Sequence, residues 1–223
     1  ESSIMRIAAM ACRFRKDGSR GLFLSEHRRC YDEIIDYCNK LVYQGKLKPC
    51  RGSIRHDDKN TLKSEFPAMG HFPIEVESSE KRGSSRFNKE EAQQIIQWIA
   101  THADKIQSTY PKEGGIENLI GVITPFKAQA AVIKKALPKH LKKIRVGTIH
   151  TFQGAECRII ISTVYGGEDG CFFIENNKSL MNVAVSRAKD FFFVFGNRKC
   201  LLHTESSTTG LLRQMTEESI AGK

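Results

Sequence analysis

The stretch Leu119-Ile-Gly-Val-Ile-Thr-Pro-Phe-Lys-Ala-Gln-Ala-Ala-Val-Ile-Lys-Lys-Ala-Leu-Pro138 reads in two halves. Leu119 to Thr124 is a continuous apolar run, and Lys127 to Leu137 has helical spacing that Pro138 ends. Downstream, Ile144 to Ile149 and Arg158 to Tyr165 are further strands rich in Ile and Val, Ser179 to Lys189 is helical, and Phe191 to Phe195 is again a strand. Strands that are apolar throughout and separated by helices belong to a parallel sheet covered on both faces. The fold class is therefore α/β. Upstream the pattern is looser. Ile4 to Cys12 is helical, a basic stretch runs from Arg13 to Arg20, and a short apolar run follows at Gly21 to Leu24. Tyr31 to Tyr43 carries Ile34, Ile35, Cys38, Leu41 and Val42 at helical spacing. Residues 44–72 are polar and read as a connection or small insertion; Ile74 to Glu77 alternates like a strand. Asn88 caps a long helix to about Gln107, with Ala92, Ile95, Ile96 and Ile99 on one face.

The 223 residues carry 35 Lys and Arg against 25 Asp and Glu, a formal charge of +10 that points to a polyanionic partner such as nucleic acid. At 40% hydrophobic and 27% charged, the chain is neither a disordered tail nor a membrane protein, and its longest apolar runs are far too short to cross a bilayer. Arg6 interrupts the first apolar stretch, so no secretory signal pattern is present, and a start at Glu1 without an initiator Met suits a fragment or processed product. The 7 cysteines form no CxxC pair and no zinc-type spacing; they read as reduced thiols of a cytoplasmic protein, with no metal site.

In open α/β sheets the working residues lie beyond the carboxyl ends of the strands, and four polar segments are expected there. They are Leu24-Ser-Glu-His-Arg-Arg-Cys30, Ile123-Thr-Pro-Phe-Lys-Ala-Gln129, Thr148-Ile-His-Thr-Phe-Gln-Gly-Ala-Glu156 and Asn182-Val-Ala-Val-Ser-Arg-Ala-Lys189. In the third, Gly154 permits close approach of backbone to a ligand, Gln153 offers an amide, Glu156 accepts from ribose hydroxyls, and Thr148, His150 and Thr151 suit a phosphodiester backbone. Its plain alternative is a turn with a satisfied histidine. Arg187, like Arg28 and Arg29, is either an arginine finger for a transferring phosphoryl group or a surface arginine.

The order of the four segments resembles the motor core of superfamily-1 helicases, and among them the branch of the RNA-surveillance helicase and senataxin. Glu-His-Arg-Arg at 26–29 followed by Leu41-Val-Tyr-Gln-Gly-Lys-Leu47, and the set Ser85, Asn88, Glu91 and Ala92, extend the match from about residue 21 to 197. The resemblance implies a RecA-like, P-loop NTPase-type lobe spanning 21–200, preceded by an N-terminal helix and basic connection (1–20) and followed by a tail or helix (201–223). It implies catalytic arginines at Arg28 and Arg187, nucleotide contacts at His27, Gln153, Gly154 and Glu156, and nucleic-acid contacts at Thr124, Pro125, Phe126, Thr148 and His150. His27 stands where relatives have a tyrosine and Glu26 where they have a glutamine. It further implies ATP with Mg²⁺, single-stranded DNA or RNA as partner, and 5′ to 3′ movement.

No GxxxxGK[ST] occurs: Gly45-Lys46 is followed by Leu and Gly222-Lys223 ends the chain, and no DExx strand is present. The chain thus resembles the second lobe, which lacks its own phosphate loop; the first lobe of the same polypeptide would supply that loop and hold the Mg²⁺, leaving this fragment inactive alone. A helicase-derived module that binds nucleic acid without catalysis is the alternative. A nuclease reading fails on spacing, since Glu75, Glu77, Glu80 and Lys81 do not form Asp…Glu-x-Lys. Two features stay open or plain. Lys134 to Arg145 holds six cations and no acid, either a backbone-binding surface or a solvated face. Phe191-Phe-Phe-Val-Phe195 reads as a buried strand rather than a stacking platform.

Overall fold

The computed structural model describes residues 4–16, 19–20, 23–75, 79–152, 154–163 and 168–218. Gln153, the start of the Gly21 to Leu24 run, and the ends of two expected strands, at 76–77 and 164–165, lie outside them. Among the described residues one sheet has six strands: β1 (Met69–Pro73), β2 (Ile120–Ile123), β3 (Arg145–Gly147), β4 (Cys157–Thr163), β5 (Ala188–Gly196) and β6 (Glu217–Glu218). Their order is β6-β1-β5-β4-β2-β3, with every neighbouring pair parallel. The centre is β4 beside β5, in register from Ile159 against Phe191 to Thr163 against Phe195. Ile159 to Ile161 and Phe191 to Val194 are buried on both faces, which is why these segments read as unbroken apolar runs.

The helices are α1 (Ile4–Ala11), α2 (Asp32–Leu41), α3 (Lys89–Thr109), α4 (Ile116–Leu119), α5 (Lys127–Ala136), α6 (Glu168–Glu175), α7 (Lys178–Val185) and α8 (Thr208–Met215). Asn88 caps α3 as expected, its side chain accepting from the Glu91 N–H at 2.9 Å. The buried face of α3 carries Ala92, Ile95, Trp98, Ile99 and Ile106. Trp98 meets Phe72 and Phe193 with ring centroids 5.7 and 5.2 Å apart, and Phe72 stacks on Phe195 at 4.5 Å.

Several expected boundaries move. The strand near Ile74 is β1, starting five residues earlier, because Phe192 N–H donates to Ala68 O at 2.8 Å and draws this segment onto β5. The 44–72 stretch is consequently structured: Lys48–Pro49 pairs with Glu26–His27, two 3₁₀ turns follow, and β1 ends it. Likewise α7 stops at Val185 rather than Lys189. Ser186 Oγ bonds Val183 O at 3.1 Å, and pairing of Ala188 with Cys157 commits the next residues to β5. The strand at Ile144 stops at Gly147, and Ile149–Phe152 is a 3₁₀ turn instead. Within 201–218, α8 packs on α2, and β6 pairs with β1.

His71, fully buried on β1, places Nε2 3.0 Å from Gly196 O. Burial drives its pKa down to about 4, helped by Arg198 and Arg213 and opposed by that carbonyl. An unfolded histidine titrates near 6.5. The neutral form is therefore favoured on folding: its stabilisation is complete above pH ~6.5 and is lost as pH falls towards 4. Thermal melts should show a loss of about 3 kcal/mol across that window. His71→Gln, which retains a donor towards Gly196, should flatten the dependence; an unchanged slope would assign it to another group.

Candidate functional site

Glu156 is the residue before β4 and Arg187 the residue before β5, and Cys157 N–H donates to Arg187 O at 3.1 Å. The segment before α2 lies over them, fixed by Tyr31 N–H to Lys189 O at 3.1 Å. Together they line a cleft of about 850 Å³ that includes His27, Arg28, Arg29, Glu156, Arg187 and Lys189. This corrects the expectation that all four polar segments lie at carboxyl ends: these residues precede parallel strands, so they sit at the amino ends. Thr124 and Thr148 do follow β2 and β3 at the carboxyl ends. A seven-residue strand separates the two ends by about 20 Å. The 148–156 connection spans the distance, carrying Thr148 and His150 at one end and Glu156 at the other.

Inside the cleft, Glu156 is held at both oxygens, Oε1 by Lys189 Nζ at 2.8 Å and Oε2 by Arg29 Nε at 2.7 Å. The bond to Lys189, with the charges of Arg29 and Arg187, keeps its pKa below the usual carboxylate range. Arg187 is differently placed. Its donors meet Val183 O at 3.3 Å, Ala155 O at 3.4 Å and Ser186 Oγ at 3.5 Å, all neutral and all long. Burial, then the charge of Arg29, lowers its pKa. Arg28 lies at the mouth, its side chain 70% exposed and turned to Glu26 at 2.8 Å. The His27 ring accepts the Cys30 N–H at Nε2 (3.3 Å), and burial, then Arg29, lowers its pKa. Gly154 has φ +82° and lines an adjoining groove with Arg145 and Glu156.

Arg51 and Arg158 also line the cleft and bring a second group of charges that the sequence did not disclose. Arg51 donates to Arg29 O at 2.8 Å, Lys189 O at 2.6 Å and Asp190 Oδ1 at 2.6 Å, and stacks on Tyr31 at 3.7 Å. Asp190, 1% exposed, also receives Tyr110 O–H at 2.8 Å and Arg158 Nη1 at 3.3 Å, while Arg158 pairs with Glu113. The available signal was a lone acid heading an apolar strand, since a buried carboxylate requires partners.

At the carboxyl end the expected contacts divide. Thr124 is fully buried, its N–H on Gly147 O at 3.0 Å and its hydroxyl accepting the Phe126 N–H at 3.3 Å. It shapes the turn into α5 and does not face solvent, which corrects its assignment as a surface contact. Phe126 is also buried, 5.2 Å from Phe173. Pro125 and Thr148 are half-buried and His150 exposed, so these three make the rim. Gly147 is required just before it: a Cβ there would lie 2.0 Å from Thr151 Oγ1, which bonds Thr148 O at 2.6 Å. Among the described residues, no His, Cys, Asp and Glu cluster of three or more has the geometry of a metal site.

A family model described as AAA domain matches residues 8–199. RNA helicase Mov10l1 of Homo sapiens is 31% identical over 193 residues, covering 80% of this chain and 15% of that protein. Putative helicase mov-10-B.1 of Danio rerio is 29% identical over 200 residues, covering 78% of this chain and 19% of the relative. The regulator of nonsense transcripts 1 homolog of Arabidopsis thaliana is 25% identical over 215 residues, covering 90% and 16%. Among solved structures, the C-terminal domain of a possible DNA helicase from Lactobacillus plantarum WCFS1 covers 76% of this chain and 86% of its own, at TM-score 0.40 and 12% identity, too slight a likeness to weigh. The chain spans between 15% and 19% of the length of these curated relatives.

Proposed function

The chain belongs to the AAA domain family, with superfamily-1 helicases among its relatives, and from that premise we propose that it is the second RecA-like motor lobe of an ATP-dependent helicase acting on single-stranded nucleic acid. The observation that carries this reading is the convergence of Arg28, Glu156 and Arg187, far apart in sequence, on one cleft. The cleft holds more cations than carboxylates, and its size and donors fit a nucleoside triphosphate. ATP with Mg²⁺ supplies the phosphoryl group and the metal's charge neutralisation. The phosphate loop and metal ligands come from the first lobe of the longer protein, so this chain alone is inactive.

The chain's own residues then have distinct tasks. Arg187, whose bonds are long and neutral, turns its guanidinium to the γ-phosphate. Arg28 leaves Glu26 to join it; the pair is exposed and screened by solvent, so the exchange is easy. Glu156 releases Arg29 and Lys189 and accepts from ribose hydroxyls, with Gln153 and Gly154 as further nucleotide contacts and His27 stacking on the base. Pro125, Thr148 and His150 contact the strand, and Thr124 and Phe126 hold their turn. Because the 148–156 connection reaches both ends of the sheet, nucleotide-driven movement of Glu156 is felt at Thr148. The test is ATP hydrolysis by the full-length protein with and without single-stranded DNA or RNA. Stimulated hydrolysis is expected; its absence would leave a module that binds without catalysis.

A further inference from the structure

We propose that the outer face of α5 and the turn after it form a second cationic surface, which carries single-stranded nucleic acid onward from the rim at Pro125, Thr148 and His150. The path rests on the motor reading for its starting point, but its own evidence is separate. No Asp or Glu occurs between Glu117 and Glu156, while Lys127, Lys134, Lys135, Lys139, Lys143 and Arg145 all lie there and are all exposed. Some lysines elsewhere have carboxylate partners, Lys40 with Asp36, Lys63 with Asp58 and Lys89 with Glu80, and others such as Lys46, Lys81 and Lys112 have none among the described residues, so what sets this face apart is its run of cations with no intervening acid. Among the described residues none of the six cations on this face forms an ion pair, so their charge is uncompensated.

The geometry makes one surface of them. Lys127 begins α5 directly after Pro125 and Phe126, so the face starts where the rim ends. Lys134 lies two turns further on the same side, about 10 Å along the axis. A seventh cation, Lys142, donates to Lys134 O at 2.7 Å and Lys135 O at 3.0 Å. It thereby satisfies carbonyls that the helix end leaves open and ties the following turn to α5. The neighbouring strand β3 is the last in the sheet order, so this flank is not covered by a further strand.

Two classes of polyanion fit such charge, nucleic acid and acidic protein, and the surface favours the first. Protein interfaces are anchored by exposed aromatic or large aliphatic side chains that become buried. Among the described residues, the exposed large hydrophobic side chains lie on α1, at Phe14, on 23–24, at Val42, on α6 and at Leu202, and none falls within 127–145. Phosphate contacts need only cations held at a spacing, and their energy comes largely from counterion release.

The experiment is binding of oligouridylate and oligodeoxythymidylate by the full-length protein, with strands of about 6 and about 25 nucleotides. The short strand fills the rim alone. Lys134→Gln, Lys135→Gln, Lys139→Gln and Lys143→Gln together should leave short-strand binding unchanged and weaken long-strand binding by on the order of 10-fold or more. The magnitude of the long strand's logarithmic salt slope should fall by about 3, near 0.7 for each neutralised contact. Replacement of the same lysines by arginine should preserve binding, and unchanged melts exclude misfolding. Equal loss at both lengths, no loss at either, or preferential capture of polyglutamate overturns the proposal. Failure of the motor reading looks different: the length-dependent loss persists in a protein that hydrolyses no ATP.

Discussion

On the proposed function, Arg187→Ala in the full-length protein should lower nucleic-acid-stimulated ATP turnover by about 10³-fold or more, while single-stranded nucleic-acid binding should change little. The size follows from where the guanidinium sits. Its pKa is lowered first by burial and then by Arg29, and its bonds run only to two carbonyls and a hydroxyl at 3.3–3.5 Å. A charge held against poor neutral acceptors gains most when a polyanion arrives, and gains further as charge develops on the transferring phosphoryl group. About 10³-fold corresponds to roughly 4 kcal/mol of transition-state stabilisation, well above the ~1 kcal/mol of an exposed pair. Lysine should not restore turnover, because a single ammonium cannot reproduce the planar fork. The kinetic split is decisive: a fall in kcat with little change in KM assigns Arg187 to the transition state. A rise in KM with kcat intact would reduce it to a ground-state contact, and unaffected turnover would remove it from the chemistry.

The sequence disclosed the sheet because β4 and β5 are buried on both faces, and that burial writes itself as unbroken runs such as Phe191 to Phe195. It disclosed α3 because Asn88 and the periodic Ala92, Ile95 and Ile99 act locally. β1 was displaced because Met-Gly-His-Phe-Pro neither alternates nor runs apolar; pairing with β5 makes it a strand. The candidate residues Glu156 and Arg187 stood out by pattern, yet not the end of the sheet they occupy, which depends on whether each precedes or follows its strand by one residue. Thr124 looked like a phosphate contact, and only the folded turn reveals its hydroxyl spent on the Phe126 N–H. Arg51 was invisible for a different reason. It lies in a polar stretch without periodicity, and its partners Arg29, Lys189 and Asp190 are brought to it by the chain crossing at the amino ends of the sheet.

That crossing makes Asp190→Asn the substitution with the largest expected effect on stability, about 3–5 kcal/mol or a fall in Tm of roughly 10 °C. The carboxylate is 1% exposed and accepts from Arg51, Arg158 and Tyr110 at once. The amide keeps the shape but removes the charge, leaving two guanidinium groups with side chains only 18% and 24% exposed short of their shared counterion. Glu113 still pairs with Arg158, so the deficit falls mainly on Arg51. Burial, then Asp190, holds the Tyr110 hydroxyl well above its ordinary pKa, so it donates to the carboxylate throughout the working range; an amide oxygen accepts that proton less strongly. Glu26→Ala provides the contrast, since its pair with Arg28 is exposed to solvent and its loss should leave the Tm nearly unchanged. A second consequence separates Asp190 from a merely buried ion pair. Arg51 also carries Arg29 O and Lys189 O, so loosening it frees the segment bearing Arg28 and Arg29. ATP turnover measured well below the lowered Tm should therefore fall too, through a weaker approach of Arg28 to the nucleotide. A variant that is destabilised yet fully active when folded would confine Asp190 to stability, and one that melts like the wild type would show that Arg51 and Arg158 find other counterions.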